Sequence, residues 1–505
     1  MRKIQSLVAL ALLGLCIHSG LAEPMVAMGL EIDSVGRRWE DNAFFARMTE
    51  RTGVAVRGTA VEGREAWKKA LEAMARGEIS ADVLLKAELS RSEEARLLEA
   101  GALIDLAPYL EAHMPNLSRL LAEHPAWREA IALPDGRIAS LPAINPQERQ
   151  AAIWINRGWL DALGIEMPGS PEALTAALLE MGEGDPNGNG KRDEIPADLL
   201  GVWEMRWLLP YFGIVADDWN LARDASGALA FAPEMPGYRD FVALLRQWAS
   251  SGILPEEAFR DLHATSELAA QSEASGGLFG GQAPKKPTIV SGLFLSMSPV
   301  SRVPVEASGQ YAALLMQAGE ETLWRDLLGS VSTGALALTR RCSDVGAALR
   351  WADALYAEDA ILAYAGAEGE DWAWDAQGHW HFLLGGARTI EAIRRDTILY
   401  TGAVMPGLYP YDFLARVDSP EDRAVEAEQD RVRAVAQRVT PPYALSGEAA
   451  ERAAAIQRTL GAKVDEGIAR FATGEVPLDD ESWNAWLAAL REAGSAELVA
   501  LFAGR

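Results

Sequence analysis

The chain has 505 residues, 49% hydrophobic and 24% charged, and its 47 Lys and Arg against 72 Asp and Glu give a formal net charge of −25. That length suits two or three globular domains, and the acidic balance argues against a partner carrying nucleic-acid phosphates or an anionic lipid surface. Sixteen Trp exceed what such cores usually need, while two Cys exclude a disulfide scaffold.

Arg2 and Lys3 precede an apolar run from Leu7 to Cys16, and Gly20 and Ala22 stand at −3 and −1 of a cleavage site. This pattern predicts a secretory signal peptide over residues 1–22, because the run is far shorter than the ~20 residues of a membrane span. Cys16 is a poor lipidation site, since Leu15 before it is bulky where such processing wants a small residue. Cleavage after Ala22 removes two cations, takes the charge from −25 to −27 and leaves Cys342 as the lone thiol, expected to act as a small buried hydrophobe.

Short strands and amphipathic helices then alternate. Met25 to Ile32 reads as a strand, Asp41 to Thr52 as a helix stopped by Gly53, Val54 to Val56 as a strand, Ala66 to Arg76 as a helix, and Asp82 to Leu85 as a strand. This succession is βαβ and implies a parallel sheet flanked by helices. Ile138 to Leu141 and Ala152 to Ile155 are further strands, with Pro142 to Pro146 read as a loop between domains. Residues 255–287 are polar and rich in Gly, Pro and Ser, which predicts a long surface loop, and the chain beyond Asp344 is mostly helical in pattern, with no internal repeat.

The sharpest motif is Asp185-Pro186-Asn187-Gly188-Asn189-Gly190-Lys191-Arg192-Asp193-Glu194. Oxygen-bearing side chains at positions 1, 3, 5 and 9, with Gly at position 6, match the start of an EF-hand loop. Asp185, Asn187, Asn189, the Lys191 carbonyl, Asp193 and Glu194 would supply six oxygens and three negative charges to a structural Ca²⁺. Position 12 is Pro196, so Glu194 would take the role of the usual terminal Glu. An ordinary polar turn is the competing reading.

Signatures of enzymes are mostly missing: there is no His-Glu-x-x-His, Gly-x-Ser-x-Gly, phosphate loop or Cys-x-x-Cys. His379 and His381 flank Trp380 and read as an exposed pair rather than metal ligands. Paired carboxylates are too numerous to sort, which leaves a secreted calcium-containing polysaccharide lyase or glycosidase as the alternative to a binding protein. Trp67, Trp248, Trp351, Trp483 and Trp486 lie in amphipathic helical text and are read as packing. Trp203 and Trp207 flank Arg206, and Trp372 and Trp374 lie in loop-like text, a setting that suits stacking on sugar rings.

Four features together resemble the family 1 extracellular solute-binding proteins of ABC importers: Arg157 to Ile165 (RGWLDALGI), Pro168 to Leu174 (PGSPEAL), the acidic loop, and Asp193 to Pro196 (DEIP). Within that family the chain resembles the large oligosaccharide-binding subgroup that includes alginate-binding proteins. The resemblance implies an α/β, two-lobed, type II-like periplasmic-binding-protein fold with a hinge, an oligosaccharide ligand, either acidic and alginate-like or neutral, permease subunits as partners, a periplasmic location and no catalysis. Nucleic acid is not expected as a partner, and the chain is expected to be a monomer. The implied lobes are 23–143 with 314–344, and 144–313 with 345–505, the latter carrying the calcium loop. The residues expected to face the sugar are Trp39, Asn42, Lys86, Trp203, Arg206, Trp207, Trp372, Trp374 and Tyr400.

Overall fold

The computed structural model describes residues 23–31, 43–146, 150–259, 290–299, 302–326, 331–360, 368–374, 376, 380–385, 405–409, 426–437, 445 and 447–503. The signal-peptide segment, most of the 255–287 stretch, Trp39, Asn42, His379 and Tyr400 lie outside them.

The chain begins with β1 (Met25–Glu31), α1 (Ala43–Thr52), β2 (Val56–Glu62), α2 (Arg64–Ala75) and β3 (Val83–Leu85), and β1 pairs with β2 and β3 in parallel, as the βαβ reading requires. Then come α3 (Arg91–Glu99), α4 (Pro115–Glu123) and β4 (Leu141–Ile144). A second unit follows with β5 (Ala152–Asn156), α5 (Arg157–Leu163), α6 (Pro171–Glu183), α7 (Gly201–Met205), α8 (Tyr238–Ser250), β6 (Leu293–Ser296), β7 (Tyr311–Ala313) and β8 (Glu321–Arg325). The chain returns to the first unit with β9 (Val331–Leu338), α9 (Val345–Asp353), the hairpin of β10 (Trp372–Trp374) and β11 (Trp380–Phe382), and β12 (Gly407–Leu408). It ends in α10 (Glu426–Val435), α11 (Gly447–Ala472), α12 (Asp480–Glu492) and α13 (Ser495–Ala503). Among the described residues no helix is long and apolar enough to cross a membrane.

The first lobe is built on a six-stranded sheet in the order β12-β4-β9-β3-β1-β2. Alternation sorts its two faces: Val83 and Leu85 join a core with Phe44, Met48 and Trp351, while Leu84 between them packs with Leu30, Trp67 and Leu71. Burying each such aliphatic side chain contributes about 1.5–3 kcal/mol. The second lobe has a three-stranded sheet, β6-β5-β7, paired antiparallel. All five residues of β5 are buried, because helices and loops cover both faces, and the Trp154 indole donates to the Ser296 carbonyl at 2.8 Å.

Two expectations are corrected. Pro142 lies inside β4, not in a loop. A strand proline cannot donate to the ladder, and the pairing with β9 is interrupted at that point: Ala143 faces Ser332 and Leu141 faces Leu336, with the extra residues of β9 bulged out. Gly334 in this bulge has φ +79°, and a Cβ there would stand 2.1 Å from the Leu89 carbonyl oxygen. The lobe boundaries also differ from those expected. Met316 and Trp324 pack in the second core, so the return crossing falls between β8 and β9 rather than near Leu314. The described parts of 345–409, assigned to the second lobe from sequence, pack in the first: α9 buries Ala348, Leu349, Trp351 and Ala352 there, and β12 extends its sheet beside β4. The Asp353 carboxylate ties α9 to α4 by accepting from the Asn116 and Leu117 amides at 3.1 and 3.0 Å. The lobes touch where α11 meets α3.

Candidate functional site

In the second lobe, α7 passes directly into a 3₁₀ segment, Arg206–Phe212. Trp203 stays half-buried and its indole donates to Asp218 Oδ1 at 2.8 Å, while Trp207 is 1% exposed and meets Trp203 edge to face, ring centroids 5.9 Å apart. Arg325 lies over the Trp207 ring at 4.9 Å and bridges to Asp218 Oδ1 at 2.8 Å. Arg206 donates to Asn220 Oδ1 at 2.6 Å and stands 3.9 Å from Asp465. Burial works against the Arg206 charge, but Asp465 leads the groups that raise its pKa and keep it ionised. Burial also lifts the Asp465 carboxyl above its ordinary range, against the pull of Arg206.

Trp203, Arg206 and Trp207 therefore do come together, but Trp207 is a supporting ring and not an open face. Asp218, Asn220 and Arg325 belong to the same network, although they were not anticipated. Asp217-Asp218-Trp219-Asn220 carries a turn signal, since Asp217 Oδ1 accepts from the Trp219 and Leu221 amides at 2.9 Å and Asn220 sits at φ +57°. Arg325 gives no such signal, because a cation at the end of a short strand reads as solvated.

In the first lobe, Lys86 follows β3 at φ +57°, with Glu88 close behind at φ +44°. Both follow the C-terminal end of β3, which runs parallel to β1, and such strand ends are where α/β sheets place ligands. Lys86 itself is 0% exposed, which corrects its expected place on the sugar-facing surface. Burial lowers its amine to about 7, opposed by the charges of Glu31 and Glu88. Glu88 in turn accepts from Arg64 at 2.8 Å. Trp372 is a second correction: at 5% exposure it packs in the first core. Its hairpin neighbour Trp374 is 48% exposed and meets it edge to face, centroids 5.7 Å apart. Trp374 is thus the indole with the most open face among the expected residues described.

The acidic loop follows α6 and leads into residues 195–198, which bridge to β6. Asp185 accepts from the Asn189 and Gly190 amides at 3.0 and 2.8 Å, Asn189 Oδ1 from the Lys191 amide at 2.8 Å, and Asp193 from the Asn189 side-chain amide at 3.0 Å. That last hydrogen bond leads the effects that hold the Asp193 carboxyl below its ordinary range. Gly188 and Gly190, at φ +70° and +79°, provide the reversals that let the loop fold round its own oxygens. Among the described residues no three His, Cys, Asp or Glu side chains form a metal-holding group, so the loop's carboxylates are not gathered as ligands here. Both Glu194 oxygens are buried with no hydrogen-bond partner among those residues.

Solved structures match the chain over nearly its whole length. An extracellular solute-binding protein of Bifidobacterium longum subsp. infantis aligns with a TM-score of 0.77 at 18% identity, covering 95% of this chain and 97% of that one. The fold is that of the ABC-transporter solute-binding proteins. The substrate-binding protein FusA of Streptococcus pneumoniae, solved with kestose, aligns with a TM-score of 0.69 at 20% identity over 95% of this chain and 98% of its own. The alginate-binding protein AlgQ2, solved without calcium ion, gives 0.64 at 16% identity over 96% and 98%. In sequence, the fructooligosaccharide substrate-binding protein FusA is 30% identical over 224 residues, 42% of this chain and 41% of that relative's length. No family model matches the chain. These relatives carry the names of substrate-binding proteins, and FusA has also been solved as an EF-hand mutant.

Proposed function

We propose that this protein is the substrate-binding receptor of an ABC importer, capturing a neutral oligosaccharide between its lobes and delivering it to a membrane permease. The observation that carries this reading is the likeness of fold, over 95% of the chain, to receptors solved with oligosaccharides such as kestose. Neutrality follows from the charges. The cations expected to meet an acidic sugar are already engaged, Arg206 by Asn220 and Asp465, Arg325 by Asp218, and Lys86 by Glu31 and Glu88. Redirecting any of them to a uronate would leave a buried carboxylate without its partner. The open indole face of Trp374 and the half-buried Trp203 instead suit the apolar faces of sugar rings. Trp39, Asn42 and Tyr400 remain candidates for the same surface. Ligand contacts made by both lobes only when they approach would shift the population toward a closed form, which the permease would receive.

The acidic loop fits a hard cation, and Glu194 is the reason. A buried carboxylate with no donor is costly, and Ca²⁺ would satisfy both of its oxygens. Asp185, Asn187, Asn189, the Lys191 carbonyl and Asp193 would complete the set, and the ion would brace the passage from α6 into the β6 neighbourhood. Titration calorimetry of the purified protein with kestose, a neutral glucan oligosaccharide and an oligouronate tests the reading. Saturable binding of a neutral sugar supports it, whereas binding confined to the uronate, or substrate cleavage, overturns it.

A further inference from the structure

The second lobe holds a polar site beneath its aromatic face. Five buried polar atoms have no hydrogen-bond partner among the described residues, and all belong to side chains grouped round Arg206: Trp207 Nε1, Asn220 Nδ2, the Tyr238 hydroxyl, Gln457 Oε1 and Asp465 Oδ1. Trp207, Asn220 and Tyr238 are 1%, 0% and 0% exposed, while Gln457 and Asp465 are half-buried residues of which only the named oxygens are shielded from solvent. Contacts group four of these side chains, and Trp207 adjoins Arg206 in the chain. Asn220 Oδ1 accepts from Arg206 at 2.6 Å, Asp465 stands 3.9 Å from the other end of the guanidinium, and Gln457 Nε2 donates to the Asp218 carbonyl at 2.8 Å. Tyr238 lies within the electrostatic reach of both Arg206 and Asp465. Folded proteins pair nearly all such atoms, with protein groups or with ordered water, and five bare ones in a single cluster call for a guest.

Space for one is provided by α11. Gln457, Gly461 and Asp465 are spaced i, i+4, i+8 and share one face of that helix. At Gly461 a Cβ would meet only Gln457 Nε2, at 3.7 Å, so side-chain volume is missing between the two unpaired acceptors. Glycine is a poor helix former, and its use inside a long helix at this point leaves room where the polar atoms converge.

The chemistry of the set identifies the guest. Trp207 and Asn220 offer N–H donors, Gln457 and Asp465 offer acceptors, and the Tyr238 hydroxyl serves as either. Arg206 disfavours a cation and Asp465 an anion. Water both donates and accepts, and the 3.9 Å between Arg206 and Asp465 exceeds a direct hydrogen bond. We infer that the second lobe holds an ordered-water site, bounded by the Arg206–Phe212 segment, Asn220, α8 and the half-buried α11 face of Gln457, Gly461 and Asp465, whose waters link Arg206 to Asp465 and satisfy the five atoms. The network that carries Trp203 and Trp207 is then anchored through solvent held inside the lobe.

The test is made on the full chain without sugar, so that its result is separate from ligand binding. Tyr238→Phe deletes one hydroxyl and keeps the ring in contact with Phe241 and Trp486. If the hydroxyl bonds to ordered water, the melting temperature falls by about 1–4 °C, because a hydrogen bond is lost and a water is left short of a partner. An unchanged or raised melting temperature overturns the inference, since removing a bare buried hydroxyl relieves a penalty. A high-resolution crystal structure provides the second readout. Solvent density within hydrogen-bond distance of two or more of the five atoms supports the site, and direct pairing of all five with protein groups overturns it.

Discussion

Glu194→Gln offers the sharpest test of the acidic loop, because its three carboxylates are not equivalent. Asp185 already accepts two backbone amides and Asp193 one side-chain amide, while both Glu194 oxygens are buried without a hydrogen-bond partner among the described residues. Leaving one polar group buried and unmet costs about 1–3 kcal/mol, and more when it is charged. The metal-free variant should therefore be at least as stable as the metal-free wild type, since the amide removes the buried charge. With calcium the order should reverse. Ion at a hundredfold excess over its Kd stabilises a folded protein by about 2.7 kcal/mol, equivalent to about 5–11 °C in the melting temperature of a unit of 150–250 residues. Wild type should gain that shift and Glu194→Gln should lose most of it. The assay is thermal unfolding by circular dichroism after EDTA treatment, with and without millimolar calcium. A wild type indifferent to calcium, or a variant that keeps the whole shift, would refute the assignment of Glu194 as a ligand.

Four further outcomes are expected. Trp374→Ala should weaken oligosaccharide binding in calorimetry at little cost in stability, whereas Trp372→Ala should cost about 3–5 kcal/mol in urea unfolding, because one ring is open and its neighbour is in the core. Lys86 is held at about 7 in the fold against an ordinary 10.5, so across that window the unfolded chain binds a proton that the folded one has released. Stability should then rise with pH from 7 toward 10 more steeply in wild type than in Lys86→Met, and equal slopes in urea midpoints would count against the buried amine. Arg206→Ala leaves Asp465 without its counter-charge and should destabilise the second lobe by about 3–5 kcal/mol, an effect that shrinks when Asp465→Asn is added. Gly334→Ala meets both a positive φ and the Leu89 carbonyl, and should cost more than about 3 kcal/mol by the same unfolding measurement.

The βαβ opening was legible because alternating strands and glycine-stopped helices carry local signals. β4 was not, since Pro142 reads as a strand breaker and only a bulge in its partner makes room for it. The lobe assignment of 345–409 failed for a different reason. The apolar stripe of α9 states that a face is buried but not against which core, and the choice depends on the distant Asn116 and Leu117 amides that Asp353 accepts. Trp203 and Trp207, on either side of Arg206, read alike as rings suited to stacking on a sugar. The 3₁₀ segment beginning at Arg206 changes the winding between them, and one ring becomes half-buried while the other is enclosed. Lys86 looked like a free cation because sequence cannot reveal that Glu31, fifty-five positions away, lies beside it.

The interleaving of the two lobes bears on when the protein can fold. β9, a central strand of the first sheet, and β12, its edge, arrive only after residues 152–325, whose described parts build the second lobe. Until then β3 and β4 lack the antiparallel partner that lies between them, and the core side chains of α1 lack Trp351. An incomplete chain therefore has no finished first lobe to commit to, and its early strands stay unpaired on one side. Late closure of this kind postpones a finished first lobe until residues 331–408 are present.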